Sequence, residues 1–166
     1  RMSPKQGEAY KAGEQFILYG GAKGGGKSWF MCIWLFSKGL AVPNNKIFFC
    51  RRRSVDFTNT TLETWKKAIP SKTYRIHEQK KKIFLFNGTT IDYGGLDDPL
   101  MIQGLNSAEY ANIAVDQAEE IERDSFAMLR GTLRHIAKTE DGKTFNPDYQ
   151  VMMSAIEQTR FLRLQP

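Results

Sequence analysis

The chain of 166 residues has no uninterrupted apolar run approaching the roughly 20 residues needed to cross a bilayer. The longest candidate, Trp29 to Phe36, runs into Ser37 and Lys38 and is far too short. The amino terminus, RMSPKQGEAY, has no apolar signal core, so secretion is unsupported. Cysteine is scarce. Cys32 and Cys50 sit in WFMCIWLF and IFFC with no CxxC and no nearby histidine pair, which argues against zinc and predicts buried, reduced thiols. Repeats with a period of roughly 20 to 50 residues, low-complexity tracts and linkers are also missing, and a single domain is expected.

What is present is ordinary for a soluble globular fold. Hydrophobic residues make up 41% and charged residues 25%, which argues against disorder and against a membrane protein. The length suffices to bury a core without disulfides or metals. Lys and Arg total 24 against 18 Asp and Glu, giving a net charge of +6 and a pI of about 9.3. That excess suits a polyanionic partner such as nucleic acid.

Ser3-Pro4 reads as a helix start, a side-chain cap followed by a residue that needs no hydrogen bond there, and predicts a short helix to about Ala12. QFILYG is a buried strand, the glycines after it a loop, and Lys27 to Lys38 an apolar helix ended by Gly39. KIFFC is a second buried strand leading to Arg51, Arg52 and Arg53, and Val55 to Ala68 reads as helix. TYRIHE, KIFLFNG and TTIDYGG follow as strands, with Asn87-Gly88 at a hairpin turn. ANIAVD is a further buried strand, Arg123 to His135 a helix, and YQVMMSA a final strand. Buried strands alternating with helices predict an α/β sandwich with a mostly parallel central sheet and a β-hairpin insertion.

Two motifs carry chemistry. GGAKGGGKS, comprising Gly21, Ala22, Lys23, Gly24, Gly25, Gly26, Lys27 and Ser28 after a leading glycine, contains G-x-x-x-x-G-K-[ST] between a strand and a helix. Small residues let backbone N–H groups wrap phosphates, Lys27 can reach the β/γ oxygens, and the Ser28 hydroxyl can serve Mg²⁺. The helix that begins there adds its positive end. The second motif is IAVDQAEE, residues 113 to 120, where an apolar strand ends in Asp116, the position from which a carboxylate holds the Mg²⁺ shell of an NTPase. The next residue is Gln117, where additional-strand ATPases usually carry a glutamate that polarises water. Gln117 cannot accept a proton at neutral pH but can orient a water. Three readings stay open: a substituted glutamate that leaves a trap, a natural glutamine that positions water, or a base role passed to Glu119 or Glu120. The acidic trio Glu119, Glu120 and Glu122 also reads simply as a solvated helix start.

Together these residues resemble the ATPase domain of the large terminase subunit of tailed phages. The likeness runs from SPKQ through GGAKGGGKS, FFCRRRSVDF, FNGTTIDYGGLDD, IQG and IAVDQAEEI to RGTLRH and YQVMMSA. The phosphate loop is shared by many NTPases, whereas the order NG, GGLDD, IQG, Asp-x-Ala-Glu-Glu-Ile is more particular. The resemblance implies a P-loop NTPase sandwich of the additional-strand type that binds ATP and Mg²⁺, with Ser28 and Asp116 at the metal. It implies that Gln6 reads the adenine edge, that Lys23 stabilises γ-phosphate charge in its own or a neighbouring subunit, and that Arg134 senses or contacts nucleotide. Arg51 to Arg53, on the sheet edge where ligands gather, could meet phosphate or DNA, or form a solvated basic turn.

Two departures accompany Gln117. Family members follow the last strand with a Ser/Thr-Ala/Gly-Asn coupling triplet, whereas here Ser154-Ala155 precedes Ile156. The 166 residues hold no acidic nuclease domain after RFLRLQP, so DNA cutting by this chain is not expected. The implied function is an ATP-hydrolysing motor domain that moves viral double-stranded DNA into a procapsid. Its implied partners are a portal protein, a small terminase subunit and further copies in a ring, in the cytoplasm of an infected bacterium. The alternatives are a nucleotide-binding switch or assembly module with little turnover and, less well matched, a small-molecule kinase.

Overall fold

A computed structural model describes residues 2–21, 26–145 and 148–155. The first half runs α1 (Pro4–Lys11), β1 (Phe16–Gly20), α2 (Lys27–Ala41), β2 (Lys46–Arg51), then α3 (Ser54–Asp56), which passes through a π turn (Phe57–Thr61) into α4 (Leu62–Ala68). The second half runs β3 (Tyr74–His77), β4 (Lys82–Leu85), β5 (Thr90–Gly95), α5 (Pro99–Leu105), β6 (Asn112–Val115), α6 (Arg123–Gly131), β7 (Ala137–Lys138), β8 (Thr144–Phe145) and β9 (Gln150–Ala155). No described helix is long and apolar enough to cross a membrane.

Seven strands form one sheet in the order β1-β9-β6-β2-β5-β4-β3, and β7 and β8 pair separately. The first five are parallel, and β4 and β3 join antiparallel at one edge. β9 lies between β1, which leads into the glycine loop, and β6, which leads into Asp116. This is the additional-strand arrangement of a P-loop NTPase sandwich, as expected. The expected hairpin is present: β4 pairs antiparallel with β5 and extends the sheet at that edge.

The alternation of side chains along each strand builds a core on both faces. Ile47 and Phe49 of β2, Ala114 of β6 and Met152 of β9 meet α2 and α4 through Phe30, Trp34, Leu35 and Trp65. Phe48 and Cys50, Ile113 and Val115, and Val151 and Met153 meet Leu105 of α5 and Phe126 and Leu129 of α6 on the other face. Covering both faces explains why these strands read as nearly continuous apolar runs. Both cysteines are free and fully buried, and burial, reinforced by the charge of Asp116, pushes their thiols well above the usual range.

Several boundaries differ from expectation. Gly39 does not end α2, which continues to Ala41. A Cβ at Gly39 would stand 2.6 Å from Leu85 Cδ1 and 3.2 Å from Thr89 Cγ2, so the glycine allows the helix to lie against the hairpin. Its carbonyl accepts from Asn87 Nδ2 at 2.7 Å and Thr89 Oγ1 at 2.8 Å. The last helix stops at Gly131 rather than His135, because the chain then bridges Leu133 to Tyr110 and Arg134 N–H bonds the Tyr110 carbonyl. The helix expected over Val55 to Ala68 contains the π turn, and the IQG residues lie on a further short helix, α5.

The GGLDD stretch acts through its backbone and caps. A Cβ at Gly95 would lie 2.0 Å from Ser54 N, so β5 and the start of α3 touch main chain to main chain. Asp97 then accepts from Ser54 N at 2.9 Å and Ser54 Oγ at 3.0 Å, bonds that hold its carboxyl below the usual range. Asp98 caps α5 through Leu100 N at 3.0 Å. Its Lys81 partner, at 2.9 Å, is the largest cause of its own lowered value.

Candidate functional site

The carboxyl ends of the parallel strands bring together residues that are far apart in sequence. Asp116 leaves β6 with its N–H on the Cys50 carbonyl at 2.9 Å and is 2% exposed. Ser28, in the first turn of α2, donates to Asp116 with Oγ 2.9 Å from Oδ2 and 3.1 Å from Oδ1. The glycine-loop helix and the acid strand therefore meet at one point, 88 residues apart in the chain. Ser154 of β9 donates to Oδ1 at 2.8 Å, and Thr61 of the π turn donates to Oδ2 at 2.7 Å. Hydroxyl groups from three separate elements thus converge on the two oxygens of one carboxylate.

Lys27 is buried and its Nζ donates to the Gly21 carbonyl at 3.0 Å, which turns the side chain back toward the end of β1. Gly26 precedes α2 in the left-handed region, φ 70°, which favours a residue without Cβ. Ala22, Lys23, Gly24 and Gly25 lie outside the described residues, as does Ile156. Gln6, expected at the base of a bound nucleotide, is buried rather than solvated. Its Oε1 accepts from Ser3 N at 2.8 Å in the capping box of α1, and its Nε2 is 3.6 Å from where a Gly26 Cβ would be. α1 thus lies beside Gly26, and Lys5 Nζ donates to the Gly20 carbonyl at 3.1 Å.

Gln117 adopts φ 51° and ψ 61°, a left-handed conformation uncommon for a residue with a side chain. Ser154 supports it: the same Oγ that donates to Asp116 accepts the Gln117 N–H at 3.0 Å. One hydroxyl on the additional strand therefore ties the acid residue to the glutamine after it. The 3-10 turn Ala118–Glu120 follows, and there the two candidate glutamates separate. Glu119 keeps a buried Oε2 with no hydrogen-bond partner among the described residues. Glu120 is taken by Arg51, whose Nε and Nη2 each reach a Glu120 oxygen at 3.3 Å while Nη1 donates to Thr60 Oγ1 at 2.8 Å. Burial alone would lower Arg51, but the bond to Glu120 and the charges of Glu120, Asp116 and Asp56 carry it above its ordinary value.

The arginine run divides accordingly. Arg51 is a buried counter-ion of Glu120, so the reading of Arg51 as part of a solvated basic turn is corrected. Arg52 and Arg53 are exposed, with long contacts of 4.0 Å to Glu122 and 3.9 Å to Asp56. Arg134 is not brought to the site of its own chain. It contacts Glu109 at 3.4 Å and the Tyr110 carbonyl, beside the start of β6, whereas Asp116 follows the end of that strand. Six residues of extended chain place the two ends ~20 Å apart.

Sequence reasoning missed Thr61 and the role of Arg51. No motif marks a threonine in a helix, and only its place on the apolar face hinted at burial. Among the described residues, no group of three or more His, Cys, Asp or Glu is arranged to hold a metal ion. Ser28 and Asp116 offer hard oxygens only. That donor set fits Mg²⁺, which keeps several waters and binds through one or two carboxylates with substrate phosphates.

A family model described as phage terminase large subunit matches residues 13–155. A search of curated protein sequences finds no match. Among solved structures, the large terminase of a thermophilic bacteriophage superposes with a TM-score of 0.76 at 14% identity, over 93% of this chain and 39% of that one. The same terminase is matched in complex with ADP and with ATP-γ-S. The ATPase domain of a Thermus phage large terminase gives 0.66 at 11% identity, over 93% of this chain and 64% of that one. The N-terminal domain of the DNA packaging ATPase of bacteriophage phi29 gives 0.63 at 11% identity, over 99% of this chain and 87% of that one. At these identities the likeness establishes the fold, and the chain spans well under half of the first terminase.

Proposed function

Because the chain belongs to the phage terminase large subunit family, we propose that it is the part of a DNA-packaging motor that binds Mg·ATP and hydrolyses it to move double-stranded DNA. The observation that carries this reading is the contact of Ser28 with Asp116 at 2.9 Å, which joins the glycine loop and the acid strand at one site. The complexes of the related terminase with ADP and ATP-γ-S support a nucleotide as the ligand.

In this reading the loop amides and Lys27 hold the phosphates, with Lys27 exchanging the Gly21 carbonyl for phosphate oxygen. Ser28 and Asp116 would hold Mg²⁺, which supplies charge neutralisation on the β and γ oxygens. Gln117 orients the attacking water in line with the γ-phosphate. Glu119 is the carboxylate still free to bind that water, since Glu120 is committed to Arg51. Ser154 links the site to β9, so a change at Asp116 or Gln117 reaches the strand that ends at Ala155. The full assembly in this reading is a ring of copies on a portal protein, served by a small terminase subunit in the host cytoplasm. Lys23 or Arg134 would act between neighbours there, which suits an arginine so far from its own Asp116.

A second reading, a nucleotide-binding switch with little turnover, is favoured by Gln117 itself, because an amide cannot take the proton of the attacking water. Phosphate release from Mg·ATP, measured with and without double-stranded DNA, tests the motor. Gln117→Glu separates the two: a rise of about 100-fold in turnover, in the range general-base catalysis supplies, supports a motor trapped by Gln117, and turnover that stays at background supports the switch. An unchanged rate above background supports a glutamine-positioned water. Absence of magnesium-dependent nucleotide binding overturns both.

A further inference from the structure

Thr61 belongs to none of the sequence motifs, yet it is 1% exposed and makes the shortest of the described bonds to Asp116, 2.7 Å onto Oδ2. A carboxylate can rotate about its terminal torsion, which is broad and weakly restrained in aspartate. Two donors from different elements, one on each oxygen, fix its plane. Ser154 supplies the donor on Oδ1 from the sheet, and Thr61 supplies the donor on Oδ2 from the helical layer. Ser28 spans both oxygens and is itself a candidate metal donor, so it is the hydroxyl least able to serve as a fixed restraint.

The π turn explains how a helix can deliver this group. Leu62 N–H bonds the Phe57 carbonyl, five residues back. An α-helix turns ~100° per residue, so five residues would carry Leu62 roughly 140° away from the face of Phe57. The wider turn keeps Phe57 and Leu62 both buried in the same core while Thr61, between them, enters the site. Thr60, the residue before it, meets Arg51 at 2.8 Å, so the same turn touches both the acid residue and its neighbouring ion pair. π turns are rare and occur often at functional sites.

We propose that Thr61 is a positioning residue of the nucleotide–metal site, orienting the Asp116 carboxylate toward a divalent ion carried by the nucleotide phosphates. The inference rests on the proposed function above and adds to it a residue outside the phosphate loop and the acid strand.

The experiment compares the 166-residue chain with its Thr61→Val and Thr61→Ser variants. Affinity for a fluorescent ATP analogue is measured without metal and then against increasing Mg²⁺, with the unfolding temperature of each protein as a check on folding. Affinity without metal should be the same in all three, since the phosphate loop is untouched. The Mg²⁺ concentration giving half of the metal-dependent tightening should rise roughly tenfold in Thr61→Val, the scale of losing a partner that orients a metal ligand. Thr61→Ser, which keeps the hydroxyl, should stay within about twofold by the same reasoning. Should Thr61→Val not fold, Thr61→Ala carries the same expectation. An unchanged Mg²⁺ requirement in Thr61→Val overturns the proposal, and so does a serine variant as impaired as the valine, because packing of the methyl would then be responsible. Equal loss of affinity without metal also overturns it. If the natural chain shows no metal-dependent tightening, the proposed function fails first and this inference with it.

Discussion

Replacing Glu120 by glutamine asks whether that carboxylate is a counter-ion or a base. Arg51 is held on three sides, by two Glu120 oxygens at 3.3 Å and by Thr60 at 2.8 Å, and its side chain is 11% exposed against 30% for Glu120. Breaking a fully buried pair costs ~3–5 kcal/mol because a charge is left uncompensated. An exposed pair is worth ~0–1 kcal/mol. With one partner buried and the other partly wet, and with both contacts long, Glu120→Gln should cost about 2 kcal/mol. At a slope of about 2 kcal/mol per molar urea, the unfolding midpoint should fall by about 1 M. Adding Arg51→Met to Glu120→Gln should recover part of the loss, since the stranded charge is removed. Phosphate release, measured at saturating Mg·ATP well below the melting point, should fall less than about fivefold, because counter-ion loss does not remove a proton acceptor. An unchanged urea midpoint together with a loss of 100-fold or more in turnover would refute the reasoning and make Glu120 the base.

Two glycines of the same chain should respond in opposite directions. Gly95→Ala drives a Cβ to 2.0 Å from Ser54 N and 2.5 Å from Arg53 C, main-chain atoms that cannot swing aside, and should cost at least about 3 kcal/mol, seen as a melting temperature ~6–12 °C lower. Gly104→Ala, in α5 with nothing within 4 Å, should instead stabilise by about 0.5–1 kcal/mol in the same melting assay. His135 is held below its ordinary value near 6.5 mainly by burial, while its Nε2 sits 3.2 Å from the Asn44 carbonyl. The unfolded chain then takes up the proton first, so this contribution is present above pH ~6.5 and is lost as the pH falls toward the lower folded value. His135→Gln should flatten the fall of stability below pH ~6.5, read by urea unfolding at each pH.

How much of this was legible before any coordinates depends on the range of each requirement. The motif from Gly21 to Ser28 imposes its spacing within one short segment, so the start of α2 at Lys27 could be read directly. The buried strands were legible because two covered faces leave no room for polar alternation. GGLDD was recognisable as a pattern, but its reason was hidden. Asp97 caps a helix that begins at Ser54, and Gly95 yields to a backbone 41 residues earlier.

The order of residues along the chain by itself determined a buried strand, a glycine-rich motif and the helix after it, and a carboxylate at the end of another buried strand, since backbone geometry and side-chain chemistry act there over a few residues. Only the tertiary structure decided which groups share that carboxylate. Ser154 reaches Asp116 because β9 lies between β1 and β6, and Thr61 reaches it because of one widened helical turn. Arg134 is carried to the far end of β6, and Glu120 is taken by Arg51. Hydrogen bonds fade within a few tenths of an ångström, so such choices follow from the packing of distant elements, which local sequence does not encode.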